Sequence, residues 1–182
     1  VEAQQILQEV EAQQGASAET CGLIGRIHKD NWTDALAGQD AIAAAGHLTQ
    51  AIDTYRRGYM ADQRDAYPGV NLVTLLDVKG DRKSLEETAR VVPVVRFAVE
   101  QRLAGTAPDY WDHATMLELA VLANDEDEAL AQLANAVAVI RETWEPGTTA
   151  NNLRMIERAR RARNVDTAWL EAIVKDLERR AK

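Results

Sequence analysis

Apolar residues return every three to four positions along almost the whole chain, and no stretch alternates as a half-buried strand would. The pattern therefore predicts helices throughout. Glycine, proline and capping residues divide it into about nine of them. The first runs from Val1 to about Gln14 and stops before Gly15, and the second covers about Ala18 to Lys29. A polar stretch, DNWTDALAGQD, then leads into a long third helix reaching about Tyr59. Pro68-Gly69 opens the fourth, which ends at Lys79-Gly80-Asp81. The remaining five are expected at about Lys83 to Leu103, Pro108 to Ala123, Glu126 to Arg141, Thr148 to Arg163 and Thr167 to Ala181.

These helices fall into pairs. GLIGRIHKD, VNLVTLLDVKGD and WDHATMLELAVLAND read as first helices of a pair, and AIDTYRRGY and DEALAQLANAV as second helices. The recurrence is about 45 residues, in the range of helical-hairpin solenoids, whose units bury their apolar stripes by stacking. The segment VNLVTLL is apolar nearly all round, as expected of a helix with neighbours on several sides. On the third helix Ala44, Leu48, Ala51, Ile52, Tyr55, Gly58 and Tyr59 share one face. Gly58 permits close approach to an adjacent helix. Arg57 points the other way, with Asp53 four residues earlier as its expected partner. Arg56 flanks the buried stripe.

With 182 residues, the chain fits one domain. At 46% hydrophobic and 27% charged it is globular. Cys21 is the only cysteine, so no internal disulfide can form and a reducing, cytoplasmic setting is expected. Neither a membrane span nor a secretory signal is read in it. A net charge of -8 argues against binding a nucleic-acid polymer. That charge is uneven, since residues from Asn151 onward carry a local +4 and the rest -12. A start at Val1, without methionine, is expected of a module within a longer protein.

Two levels of resemblance follow from quoted motifs. A-x3-Y-x2-G in AIDTYRRG, I-G-x2-H in GLIGRIH and the closing G-D of VNLVTLLDVKGD resemble tetratricopeptide helix pairs. In order, CGLIGRIHKD, AIDTYRRGY, YPGVNLVTLL and YWDHATMLELAVLANDEDEAL are similar to the TRAFs-binding, central regulatory region of the apoptosis signal-regulating kinases. Bacterial relatives of that region are called TPR-S modules. The resemblance covers roughly Ala18 to Arg154 and departs at His28, where tyrosine is common, and in the alanine-rich AIAAAGHLTQ. It implies an all-α, tetratricopeptide-like solenoid acting as a non-enzymatic regulatory domain of stress or immune signalling, without a cofactor. For the bacterial relatives it implies, more weakly, sensing of nucleotide-like signals.

Candidate ligand residues come from helix faces. Arg26 and Lys29 point away from the apolar face of the second helix formed by Thr20, Cys21, Ile24, Ile27 and His28. The matching places are Thr74 and Asp77 on the fourth helix, with Tyr67 and Asn71 near its start, and Asp112 and Met116 on the sixth. Arg154, Arg158 and Arg161 form a stripe on the eighth. A groove carrying these cations would clamp an anion, since arginine binds phosphate bidentately. Tyr67, Tyr110 or Trp111 would then offer a stacking surface. The alternative is equally open: the arginines pair with Asp77, Asp112, Glu118 and Glu157 within the protein.

Catalytic and metal chemistry is not legible. His28, His47 and His113 lack metal spacing, and Cys21 and His28 stand about two turns apart, roughly 10 Å, too far for a nucleophile and base. The acidic run NDEDEAL lacks the calcium-loop pattern, and Asp125 is instead expected to cap the next helix. Trp144 is expected as a packing anchor beside Pro146-Gly147, with Thr148 or Thr149 capping the helix after it. Two functions remain: a sensor of an anionic, nucleotide-derived ligand, or a protein-interaction scaffold binding a partner helix or another copy of the chain.

Overall fold

The structure, a computed structural model, describes residues 2–105 and 108–182. Among these residues it is all-α, with nine helices: α1 (Glu2–Gln14), α2 (Ala18–Ala37), α3 (Ala41–Ala61), α4 (Ala66–Lys79), α5 (Arg82–Leu103), α6 (Tyr110–Ala123), α7 (Glu126–Ala138), α8 (Trp144–Ala162) and α9 (Leu170–Arg180). The expected start of the first helix, Val1, lies outside the described residues. Helices adjacent in sequence pack as hairpins, α2 on α3, α6 on α7 and α8 on α9, which is the construction of a helical-hairpin solenoid. No helix among the described residues is long and apolar enough to cross a membrane.

The boundaries follow local chemistry. Ser17, Asp40, Asp81, Asp109 and Asp125 each cap a helix by accepting a backbone N–H of its first turn. Asp125 thus fills the role expected of it. α2 runs eight residues beyond its expected end at Lys29, because Trp32 continues the buried stripe of Ile24 and His28 at a spacing of four. α8 begins at Trp144, ahead of Thr148 and Thr149, so neither threonine is its cap. Pro146 is tolerated there because first-turn N–H groups have no intrahelical acceptor to lose. Thr148 instead donates to the Trp144 carbonyl, and Thr149 is fully buried.

Packing divides the chain into two compact units, one ending at Leu76 and the other beginning at Asp77. In the first unit the predicted face of α3 is buried, from Ala44 through Ala51, Ile52, Tyr55, Gly58 and Tyr59. Close approach is built in by glycine. A Cβ on Gly58 would lie 2.9 Å from Cys21 Cβ and 3.1 Å from Pro68 Cβ, and one on Gly25 would lie 2.9 Å from the Tyr55 ring. The largely apolar run of α4 is buried at every position from Pro68 to Leu76.

In the second unit, Leu117, Val121, Leu153, Ile156, Leu170, Ile173 and Leu177 form a core shared by α6, α8 and α9. Each such side chain contributes about 1.5–3 kcal/mol by leaving water. Arg160 sits at the edge of this core. Its guanidinium donates to both oxygens of Asp77 at 3.1 Å and to the Val121 and Leu122 carbonyls at 2.8 Å, closing the C-terminal end of α6. Arg163 treats α4 similarly, donating to the Asp77 carbonyl at 2.5 Å. Gly80, at φ +68, leaves the room that the Arg163 guanidinium occupies.

Candidate functional site

The eight residues proposed from sequence separate by unit. Arg26, Lys29, Tyr67, Asn71 and Thr74 lie in the first, and Asp112, Arg154 and Arg158 in the second. Within the first unit, Lys29, Tyr67 and Asn71 come together at the start of α4. The Lys29 ammonium donates to Asn71 Oδ1 at 3.0 Å, and the Asn71 amide donates to the Tyr67 carbonyl at 3.0 Å. The Tyr67 ring lies over Gly22 and meets Tyr55 edge-on at 6.2 Å. Arg26 is well exposed, 4.0 Å from Asp30 one turn later. Thr74 is buried at 1% exposure and so is not offered to solvent.

A polar cleft of about 250 Å³ opens between α1, α2 and α3, lined by Glu11, His28, Gln50, Asp53, Thr54 and Arg57 among others. Sequence reasoning did not find it. Arg57 does not pair with Asp53 but donates to both oxygens of Glu11 on α1, at 3.1 and 3.2 Å, while Asp53 accepts from Arg56. The Cys21 thiol donates to the same Glu11 at 3.4 Å. Burial, reinforced by that hydrogen bond, pushes the Cys21 thiol up, so it is a protonated donor and not a nucleophile poised on His28. Burial, with His47 and Arg57 nearby, pushes the His28 imidazole below its ordinary 6.5. At neutral pH it is uncharged.

In the second unit two of the expected cations, Arg154 and Arg161, already have partners. Arg154 donates to Glu157 at 2.9 Å, to Glu171 at 2.6 Å and to Glu178 at 3.0 and 3.2 Å. The Arg154 guanidinium pulls the Glu171 carboxyl down to about 2. Arg161 shares Glu157, at 2.6 Å, and Arg158 is exposed. Asp112 is committed to the start of α6: one oxygen accepts from the Asp109 backbone at 3.0 Å and the other from Arg102 at 2.5 Å. Asp77 belongs to Arg160 and Arg163, and Glu118 accepts from Asn152 at 2.9 Å.

The aromatic expectations also divide. Tyr110 is fully buried and donates to Thr149 at 2.9 Å, so it cannot stack on a ligand. Trp111 is half-buried. Trp144, expected as a packing anchor, is 58% exposed, its ring centroid 5.6 Å from that of Trp111. Among the described residues no group of three or more His, Cys, Asp or Glu side chains is placed to hold a metal.

Two known proteins resemble this chain over much of its length. The chain is 30% identical over 138 residues to mitogen-activated protein kinase kinase kinase nsy-1 of Caenorhabditis elegans, covering 75% of this chain and 9% of that protein. It is 28% identical over 138 residues to mitogen-activated protein kinase kinase kinase 15 of Mus musculus, covering 75% of this chain and 10% of that protein. The chain therefore spans about a tenth of the length of these relatives. The family model for the MAP3K TRAFs-binding domain matches residues 2–175, a longer stretch than the resemblance read from Ala18 to Arg154. This chain belongs to the MAP3K TRAFs-binding domain family.

Proposed function

We propose that the chain is a non-enzymatic regulatory module that works by binding a protein, with a TRAF-type adaptor as the partner class its family description points to. The observation carrying this reading is the match of residues 2–175 to a domain defined by binding and not by catalysis. The side-chain geometry supports it over the nucleotide-sensor reading. Arg154 is bonded to three glutamates and Lys29 to Asn71. An anionic ligand would have to displace those carboxylates before gaining anything from Arg154.

The test is a thermal-shift comparison of the purified chain with a TRAF domain and, separately, with nucleotides including NAD and ADP-ribose. A ligand at 100 times its dissociation constant stabilises by about 2.7 kcal/mol, a visible rise in melting temperature. The expected result is a rise with the TRAF domain and none with nucleotides. A rise with a nucleotide, lost in Arg26→Ala and Arg154→Ala, would restore the sensor reading. Concentration-dependent melting of the chain alone would identify another copy as the partner.

A further inference from the structure

Two tryptophans on the second unit form a shelf, one ring half-buried against the unit and the other largely exposed. Trp111, at the start of α6, leans on the small cluster of Tyr110, Ala114 and Ala136, and meets Tyr110 edge-on at 5.2 Å. Trp144, the first residue of α8, sets its ring 5.6 Å from Trp111 at 35° and leaves 58% of itself in solvent. Single exposed apolar residues are ordinary, but two adjoining indoles on a fixed base are not.

The base is fixed by named bonds. Tyr110 donates to Thr149, tying α6 to α8 under the shelf. The Glu145 carboxylate accepts from the Arg141 and Glu142 backbones at 2.8 and 3.1 Å, holding the turn that presents Trp144. Asp109 accepts from the Trp111 backbone at 2.9 Å, holding the other ring. The backbone under both rings is held before binding, which lowers the entropic cost of using them. Tryptophans of this kind are the residues that dominate protein interfaces.

The surroundings are acidic. Next to the two rings in the chain stand Asp109, Glu142 and the buried Glu145 against Arg141, with Asp112 paired to Arg102. Indole is the best aromatic face for a cation, and a negative field draws cations to it.

We infer that the Trp111–Trp144 shelf docks a basic segment of a protein partner, with an arginine guanidinium stacked on the exposed face of Trp144. Arginine fits better than lysine because its planar, weakly hydrated group stacks and still donates at its edge. Asp109 and Glu142 supply the opposite charge from the flanking turns. This inference rests on the protein-binding reading above and adds where the partner sits and what chemistry it brings.

The test uses nitrogen-15-labelled protein, whose four tryptophans give separate indole N–H signals. The probe is the peptide acetyl-Gly-Arg-Pro-Arg-Gly-amide, and its control carries citrulline for arginine, the same shape without charge. The expected result is saturable shifts at Trp144 and Trp111, none at Trp32 or Trp169, and affinity about tenfold weaker with citrulline. Trp144→Ala, at a site exposed enough to leave the fold intact, removes binding, and Glu142→Gln weakens it severalfold. Equal binding of both peptides, shifts centred elsewhere, or undiminished binding by Trp144→Ala would overturn the site. A TRAF domain that binds wild type and Trp144→Ala equally would also overturn it while leaving the proposed function standing. A chain that takes the arginine peptide on this shelf but no TRAF domain would uphold the site and overturn the choice of partner.

Discussion

Asp77 holds Arg160 through two hydrogen bonds of 3.1 Å, and both side chains are buried, at 6% and 7% exposure. The two residues are 83 positions apart in the chain. Such a pair adds little beyond what well-packed apolar residues would, but breaking it strands a charge. Arg160→Ala is therefore expected to destabilise by about 3 kcal/mol, because Asp77 keeps only its longer bond to Arg163 and the C-terminal end of α6 loses its donor. Arg160→Lys restores the charge without the fork and recovers only part of that. Urea midpoints at unchanged slope measure both.

At Gly58, α2, α3 and the start of α4 approach closely. With Cys21 Cβ at 2.9 Å and Pro68 Cβ at 3.1 Å from the position of a new methyl, Gly58→Ala forces rigid groups apart. The helix propensity of alanine offsets about 1 kcal/mol, and overpacking works against it by about 1–3 kcal/mol. A net loss of stability is expected, and Gly46→Ala, where nothing lies within 4 Å, is the control that gains. Thermal melts of the two variants decide it: a stabilised Gly58→Ala would mean the contact is looser than described.

The buried imidazole of His28 makes stability depend on pH. Its folded value is depressed by burial, then by His47 and Arg57, while the unfolded chain titrates near 6.5. Between those values the unfolded state binds the extra proton, so acidification favours unfolding. The stabilisation is present above 6.5 and is lost as pH falls towards the folded value. Melting temperature should drop between pH 7.5 and 5.5, and His28→Gln should flatten the slope in that window. Glu171, held down to about 2 by Arg154, does not contribute in that window.

What the sequence made legible was whatever repeats along one helix. The buried face of α3, the greasy α4 and the Asp125 cap each follow from spacings within a few residues. Partners supplied by distant segments were not legible. Arg57 has Asp53 one turn away, yet it bonds Glu11, 46 residues earlier, because α1 lies beside it. Among the arginines of α8 the stripe Arg154, Arg158, Arg161 drew attention, while the buried member is Arg160. A signal was available, since Arg160 follows Ile156 by four and Leu153 by seven on the apolar face. Trp144 misled in the other direction: a tryptophan beside proline and glycine reads as core, and only packing shows it left outside.

The central claim is that this chain binds a protein and not a nucleotide, and calorimetric titration of the purified chain with a TRAF domain tests it most directly. The account predicts saturable binding that Arg26→Ala and Arg154→Ala leave within about twofold, since one cation is a surface partner of Asp30 and the other is occupied by glutamates. No heat with the TRAF domain, together with nucleotide binding abolished by either substitution, would contradict it.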